Sequence, residues 1–199
     1  QEVTVMFADI RGFTSLTEKS AARDVVVLLN EYFDRMVEVI FHNDGILDKF
    51  IGDAIMAIWG PPTSKPDDAV KAFRAAISMQ KELFILNQER KARGENPIEI
   101  GIGLASGICV AGNIGARRRM EYTVIGDAVN LSSRLSSIAE AGEVICDEET
   151  FKRVGSPRDA IELPPTEVKG KEKPQKLYKA WSSEQATYPD VGLDPVTQA

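Results

Sequence analysis

Two aspartates, Asp9 and Asp53, are the residues of this sequence best suited to chemistry. Asp9 closes an apolar, β-branched run over residues 3–8 that predicts a buried strand, and Asp53 follows Gly52 at the bend of a predicted hairpin. If these strands are neighbours, both carboxylates meet at one edge of a sheet, where oxygen ligands could hold Mg²⁺ beside a phosphate. Taken singly, each aspartate is more simply a loop or turn residue, since turns favour Asp.

A second candidate is the segment after Asp9. Gly12 permits a close approach, and Phe13 and Thr14 lead into a short predicted helix with a capping box at residues 15–18. Free backbone N–H groups at such a point could hold a phosphate. The sequence has no Gly-x-x-x-x-Gly-Lys-Ser/Thr loop and no Gly-x-Gly-x-x-Gly motif, so neither common nucleotide-binding loop is predicted.

Several cationic and amide side chains could contact an anion. Asn130 and Arg134 are four residues apart and share one face of a predicted helix. Lys49 interrupts an apolar strand run, and Arg117 and Lys169 lie in two local basic clusters. Phosphate binding would use such groups, but each also fits a solvated helix face, a sheet edge or an exposed turn.

The elements that must position these residues predict an α+β fold with a mixed sheet covered by helices. Strands and helices alternate without the long crossovers of a Rossmann sheet. Helices are expected over residues 24–43, 67–93 and 127–141, the last N-capped by Asp127, with a helical turn at 148–154. Strands are expected at 3–8, 46–51, 54–59, 98–106, 108–114, 122–125 and 143–146, near 161, and at 177–181.

Composition narrows the function classes. The chain has 199 residues, 43% of them hydrophobic, and a net charge of −6, which is typical of one globular domain and argues against coating nucleic acid. It has no apolar run of membrane-spanning length. Residues 1–181 are expected to form the domain and residues 182–199 a flexible tail. The start at Gln1 without Met suggests a piece of a longer protein.

Four motifs, in order and in register, closely resemble the catalytic domain of class III nucleotide cyclases. They are residues 7–14 (FADIRGFT), 48–56 (DKFIGDAIM), 122–134 (YTVIGDAVNLSSR) and 168–171 (VKGK). The resemblance covers nearly the whole chain and implies a ferredoxin-like or palm-type mixed sheet. It also implies cyclisation of a nucleoside triphosphate with release of pyrophosphate.

The resemblance assigns roles residue by residue. Asp9, Asp53 and the Ile10 carbonyl match the ligands of two Mg²⁺ or Mn²⁺ ions. Arg134 matches the arginine that stabilises charge on the α-phosphoryl group, and Asn130 the residue that positions the ribose. Lys169 matches a lysine on the terminal phosphates, Arg117 loosely matches a phosphate-binding arginine, and Phe13 and Thr14 are included among the substrate-binding residues.

The resemblance implies that Lys49 and Thr123 select the base of the nucleotide. Lys⁺ can donate to adenine N1, and the hydroxyl can accept from the N6 amine. Guanylyl cyclases typically place Glu at the lysine position, so ATP is favoured and GTP is the alternative. Thr123 departs from the commonest adenylyl pattern and resembles a subgroup often reported as bicarbonate-responsive. Because a hydroxyl both donates and accepts, imperfect discrimination against GTP is expected.

In this family the active sites form across a homodimer. The implied site takes Asp9 and Asp53 from one chain and Lys49, Thr123, Asn130 and Arg134 from the other. A catalytically inactive nucleotide-binding or dimerisation module is the alternative from another class. An ATP-consuming domain is expected in the cytoplasm, without nucleic-acid or membrane contact of its own, although the full protein could be membrane-attached.

Overall fold

The computed structural model of the chain describes residues 1–182, which form nine strands and five helices. The strands are β1 (Glu2–Ile10), β2 (Ile46–Ile51), β3 (Ala54–Trp59), β4 (Ile100–Ile108), β5 (Val110–Ala116), β6 (Arg119–Ile125), β7 (Glu143–Asp147), β8 (Ile161–Glu162) and β9 (Leu177–Ser182). The helices are α1 (Phe13–Lys19), α2 (Ala22–His42), α3 (Asp68–Ala92), α4 (Asp127–Ile138) and α5 (Glu148–Arg153).

Seven strands form one mixed sheet in the order β2-β3-β1-β4-β7-β9-β8. The strand β1 runs antiparallel to both β3 and β4, whereas β4 and β7 are parallel. The hairpin of β5 and β6 forms a separate two-stranded sheet. The condition stated for the two aspartates is therefore met, because β1, which contains Asp9, pairs with β3, which follows Asp53. The mixed α+β class is confirmed.

Alternation along β1 divides the core between the two faces of the sheet. Met6 and Ala8 belong to a cluster with α2 and α3, and Val5 and Phe7 belong to a cluster with α4. Successive side chains of a strand point to opposite faces, so Asp9 follows Phe7 on the face that α4 covers. The strand pattern thus places this carboxylate beside the helix that carries other candidate residues.

The helix α4 approaches β4 closely because Gly103 has no side chain. A Cβ atom at Gly103 would lie 2.4 Å from the backbone nitrogen of Ser136 and 2.5 Å from the carbonyl oxygen of Ser132. The buried Ser132 hydroxyl lies 3.0 Å from the carbonyl oxygens of both Val5 and Gly103, which ties the helix to β1 and β4. Gly103 lies inside β4, where the absence of a side chain permits this close packing.

Some of the predicted element ends are wrong. The strands β4 and β5 each begin and end two residues later than expected. The predicted capping box is wrong, because Ser15 lies inside α1 and Gly12 is its N-cap, without a side-chain cap. The predicted Asp127 cap is also wrong, since Gly126 is the N-cap and Asp127 the first helical residue. Helix α4 ends at Ile138 and not near residue 141.

Three further features are the C-terminal end of the domain, the search for membrane-spanning helices and the two cysteines. Ser182, the first residue of the predicted tail, lies in β9, and residues 183–199 lie outside the described residues. Within residues 1–182, no helix is both long and apolar enough to cross a membrane. Cys109 and Cys146 are free and buried, and burial raises the pKa of both thiols, in keeping with core positions.

Candidate active site

The predicted metal ligands lie where β1 runs past the end of its pairing with β3. The last paired residues are Ala8 and Ile55, so the next backbone N–H on that side, from Ile10, has no strand partner there. It donates instead to Oδ2 of Asp53 at 2.8 Å. Because N–H and C=O of one strand residue point to the same side, the Ile10 carbonyl faces the same edge. The structure brings Asp9, Ile10 and Asp53 together.

The turn between β2 and β3 places Asp53 at this edge. Ile51 pairs with Ala54, which leaves Gly52 and Asp53 as a two-residue loop. Gly52 has φ of 60°, a left-handed conformation that favours glycine, and Asp53 has a negative φ. This combination is typical of a type II′ hairpin turn, whose twist matches that of the flanking strands.

The donor set at this edge fits Mg²⁺ or Mn²⁺. Two carboxylates and a main-chain carbonyl are hard oxygen ligands, and Mg²⁺ usually takes one or two carboxylates together with substrate phosphates and water. Among residues 1–182, no group of three or more His, Cys, Asp and Glu residues is arranged to hold a metal ion. Asp9 and Asp53 thus supply two carboxylates at this edge.

Arg11 is a neighbour of this edge that the sequence analysis quoted only as one letter of the first motif. Its guanidinium forms an ion pair with Asp9 and donates to the carbonyl oxygens of Ala139, at 2.8 Å, and Ser137, at 3.3 Å. Burial lowers the pKa of Arg11, and the charge of Asp53 opposes that shift. The arginine thus connects the edge that carries Asp9 and Asp53 to the C-terminal end of α4.

The two predicted base-binding residues converge on Asp48. The Thr123 hydroxyl donates to Oδ2 of Asp48 at 2.6 Å, and the Lys49 ammonium lies 3.6 Å from Oδ1. Lys49 also donates to Glu121 at 3.2 Å. That hydrogen bond, with the charge of Asp48, raises the pKa of Lys49.

Sequence reasoning quoted Asp48 only as the first letter of a motif and did not consider Glu121 at all. The available signal for Asp48 was an acidic residue inside an otherwise apolar strand run. Its side chain is only 1% exposed, and a buried carboxylate requires partners. One of those partners, Thr123, is 75 residues away in sequence, so no local pattern could have identified it.

A third group surrounds a cavity of about 300 Å³ beside α4. Asn130 and Arg134 lie on one exposed face of the helix, as their spacing predicted, and Lys169 faces them across the cavity. Lys171, which the sequence placed only in a basic cluster, lines the same cavity and forms an ion pair with Asp127. The cavity therefore combines an amide and three cationic side chains with one carboxylate, Asp127, and this net positive lining is suited to an anion.

Three predicted substrate-binding residues lie outside these groups. Arg117 is exposed in the turn between β5 and β6 and does not line the α4 cavity. Phe13 and Thr14 begin α1 directly after the left-handed Gly12; Phe13 packs against the core, and Thr14 is exposed. Their contacts with substrate stay predictions.

Comparison with known proteins identifies the family of the chain. The family model described as "Adenylate and Guanylate cyclase catalytic domain" matches residues 1–180. Adenylate cyclase 1 of Rhizobium meliloti is 35% identical over 167 residues, which cover 78% of this chain and 25% of that protein. The chain thus spans about a quarter of the length of that relative.

Two solved structures show the same fold over nearly their whole length. The adenylyl cyclase CyaB from P. aeruginosa superposes with a TM-score of 0.86 at 38% identity, covering 92% of this chain and 95% of that one. The guanylyl cyclase Cya2 superposes with a TM-score of 0.84 at 35% identity, covering 95% and 96%. The chain therefore belongs to the family of adenylate and guanylate cyclase catalytic domains.

Proposed function

We propose that this domain is an adenylate cyclase, which converts ATP to 3′,5′-cyclic AMP and pyrophosphate. The observation that carries the choice of ATP is the convergence of Lys49 and Thr123 on Asp48. An ammonium can donate to adenine N1, which accepts, whereas guanine carries a hydrogen on N1. Relatives of both specificities share the fold, so the fold alone does not choose the base. We further propose a cytoplasmic location, because ATP is abundant there.

Asp9, Asp53 and the Ile10 carbonyl would hold two Mg²⁺ or Mn²⁺ ions. When bound, such ions supply Lewis-acid chemistry, which lowers the pKa of the attacking hydroxyl and neutralises phosphate charge. The protein contributes a rigid edge for them, since Asp53 is anchored by the Ile10 N–H at 2.8 Å. Arg11 holds Asp9 from the other side through an ion pair.

The cavity beside α4 would hold the ribose and the phosphates. We infer that Arg134 donates to the α-phosphoryl oxygens, where charge develops during in-line attack by the ribose 3′ oxygen. Asn130, one helical turn before it, would hold the ribose in line. Lys169, across the cavity, would bind the terminal phosphates that leave as pyrophosphate, and Arg117 would contact phosphate from the hairpin turn.

We propose that two copies of the chain share each site, with Asp9 and Asp53 from one and Lys49, Thr123, Asn130 and Arg134 from the other. The hairpin of β5 and β6 supports this, because an isolated two-stranded sheet is only marginally stable in water. Its apolar side chains are exposed, with Val110 at 71%, Met120 at 54% and Ile125 at 57%. A second copy would cover that surface.

The first experiment measures conversion of ATP and of GTP by the purified domain with Mg²⁺ and with Mn²⁺. Preferential formation of cyclic AMP is expected. Preferential formation of cyclic GMP would replace the proposal with a guanylate cyclase. A folded dimer that converts neither nucleotide would instead indicate an inactive nucleotide-binding module.

The second experiment mixes an Asp9→Ala chain with an Arg134→Ala chain, each inactive alone. If sites are shared, the heterodimer carries one intact and one doubly defective site. Random exchange makes half the dimers heterodimers, so about a quarter of wild-type activity is expected. Persistent inactivity, with heterodimers demonstrated by differently tagged chains, would contradict the shared site.

A further inference from the structure

The buried carboxylate of Asp48 sits between the two side chains that face the base. Its side chain is 1% exposed, and Thr123 is 8% exposed. The Thr123 hydroxyl donates to Oδ2 at 2.6 Å, while Oδ1 lies 3.6 Å from the Lys49 ammonium and has no hydrogen-bond partner within residues 1–182. In this hydrogen bond the Thr123 hydroxyl is the donor and the carboxylate oxygen is the acceptor.

This direction has a chemical consequence for the base. A threonine hydroxyl has one hydrogen and two lone pairs. When the hydrogen is used by Asp48, only a lone pair is left for a ligand. A group that accepts alone recognises the 6-amino group of adenine, which donates, and is not satisfied by the 6-oxo group of guanine, which accepts.

We propose that Asp48 is a positioning residue for base selection, which fixes the Thr123 hydroxyl as an acceptor and so favours a 6-aminopurine over a 6-oxopurine. The proposal rests on the adenylate cyclase activity proposed above and deepens it. It also changes an expectation from the sequence. There, imperfect discrimination against GTP was expected because a threonine hydroxyl can both donate and accept a hydrogen bond. Because the Thr123 hydroxyl donates its only hydrogen to Asp48, it can only accept a hydrogen bond from the base.

The test compares kcat/KM for ATP with that for the triphosphate of unsubstituted purine riboside, which keeps N1 but lacks the 6-amino group. The ratio reports the contact to the 6-position and is independent of the fraction of enzyme that is folded. In Asp48→Asn, the amide oxygen is expected to turn toward Lys49 and the NH₂ toward Thr123, which frees the hydroxyl hydrogen. We expect the ratio to fall about fivefold to tenfold.

Two further variants distinguish an effect of Asp48 through the Thr123 hydroxyl from a general disturbance of the surrounding structure. In Thr123→Val the ratio should fall by about the same factor, and adding Asp48→Asn to it should cause no further fall, because Asp48 acts through the hydroxyl. Glu121→Gln is the matched control, since Glu121 contacts Lys49 at 3.2 Å but is not bonded to Thr123. It is expected to leave the ratio unchanged. Asp48→Ala, which lets the hydroxyl rotate, replaces Asp48→Asn if that variant does not fold.

The outcomes distinguish this proposal from the one on which it depends. If the wild type cyclises ATP but Asp48→Asn keeps the wild-type ratio, Asp48 does not position Thr123 and only the further inference is overturned. A fall in the Asp48→Asn variant that persists at full size in the Thr123→Val background would overturn it too. If the wild type cyclises no ATP, the proposed function itself is wrong.

Discussion

The close approach of α4 to β4 makes Gly103→Ala a sharp test of how this fold holds its site. The new methyl group would lie 2.4 Å from the Ser136 nitrogen and 2.5 Å from the Ser132 carbonyl oxygen. Both are backbone atoms of a regular helix, so they cannot move aside as a flexible side chain would. To restore an ordinary contact at 3.4 Å, the helix must move away from the strand by about 1 Å.

The size of the effect follows from that displacement. Overpacking a core typically costs about 1–3 kcal/mol, and a clash with backbone lies at the upper end. Replacing glycine also restricts the unfolded chain, which offsets about 0.4–1 kcal/mol. We therefore expect the free energy of unfolding to fall by about 2 kcal/mol. Because α4 carries Arg134, a shift of about 1 Å should also lower kcat by up to about 100-fold.

Gly107→Ala is the matched control on the same strand. Its methyl group would meet only the Cβ atom of Ala128, at 3.6 Å, which is ordinary van der Waals contact with the same helix. We expect this variant to be neutral or stabilised by up to about 1 kcal/mol, with unchanged kcat. Urea unfolding followed by circular dichroism measures both variants, and a constant m-value shows that stability has changed while the surface exposed on unfolding has not.

The reasoning is refuted if Gly103→Ala is as stable as Gly107→Ala. It is also refuted if both variants lose stability equally, because the cost would then reflect loss of strand glycine in general and not the approach of α4. A loss of stability with unchanged kcat would show that α4 relaxes without moving Arg134, and would separate packing from catalysis.

Three further predictions concern the site and its surroundings. Asp53→Asn keeps an oxygen that can accept from the Ile10 N–H but removes the charge, so calorimetry should show at least a tenfold loss of Mn²⁺ affinity with little change in melting temperature. Lys169→Met keeps the stem and removes the charge, and should raise KM for ATP about tenfold in steady-state assays; an unchanged KM would remove Lys169 from the phosphate site. Burial raises the pKa of Tyr32, whose hydroxyl has no hydrogen-bond partner among the described residues. An acid with a raised folded pKa contributes stability that is present below its unfolded pKa, about 10, and is lost as pH rises above it. Tyr32→Phe should therefore be neutral or stabilising at pH 7 and lose less stability than the wild type above pH 10 in urea unfolding; equal alkaline losses would contradict this.

The sequence by itself determined the features that depend on neighbours along the chain. The apolar, β-branched run over residues 3–8 predicted a buried strand that ends at Asp9. The apolar runs around Gly52 predicted the hairpin that presents Asp53, and a spacing of four placed Asn130 and Arg134 on one helix face. These signals succeed because strand and helix periodicities are local properties. Local cap signals failed at Ser15 and Asp127, where the glycine before each helix provides the N-cap instead.

Only the tertiary structure decided how the site is supported. The bond from Thr123 to Asp48 joins residues 75 apart, and the bonds from Arg11 to the end of α4 join residues up to 128 apart. Gly103 has a role only because α4 lies against β4. Each contact depends on strand order and on which helix covers which face, and chain spacing does not encode these. The sequence thus indicated the groups that are proposed to do the chemistry, and the packing decided which of them meet, which oxygen accepts the Thr123 hydrogen bond and how closely α4 approaches the sheet.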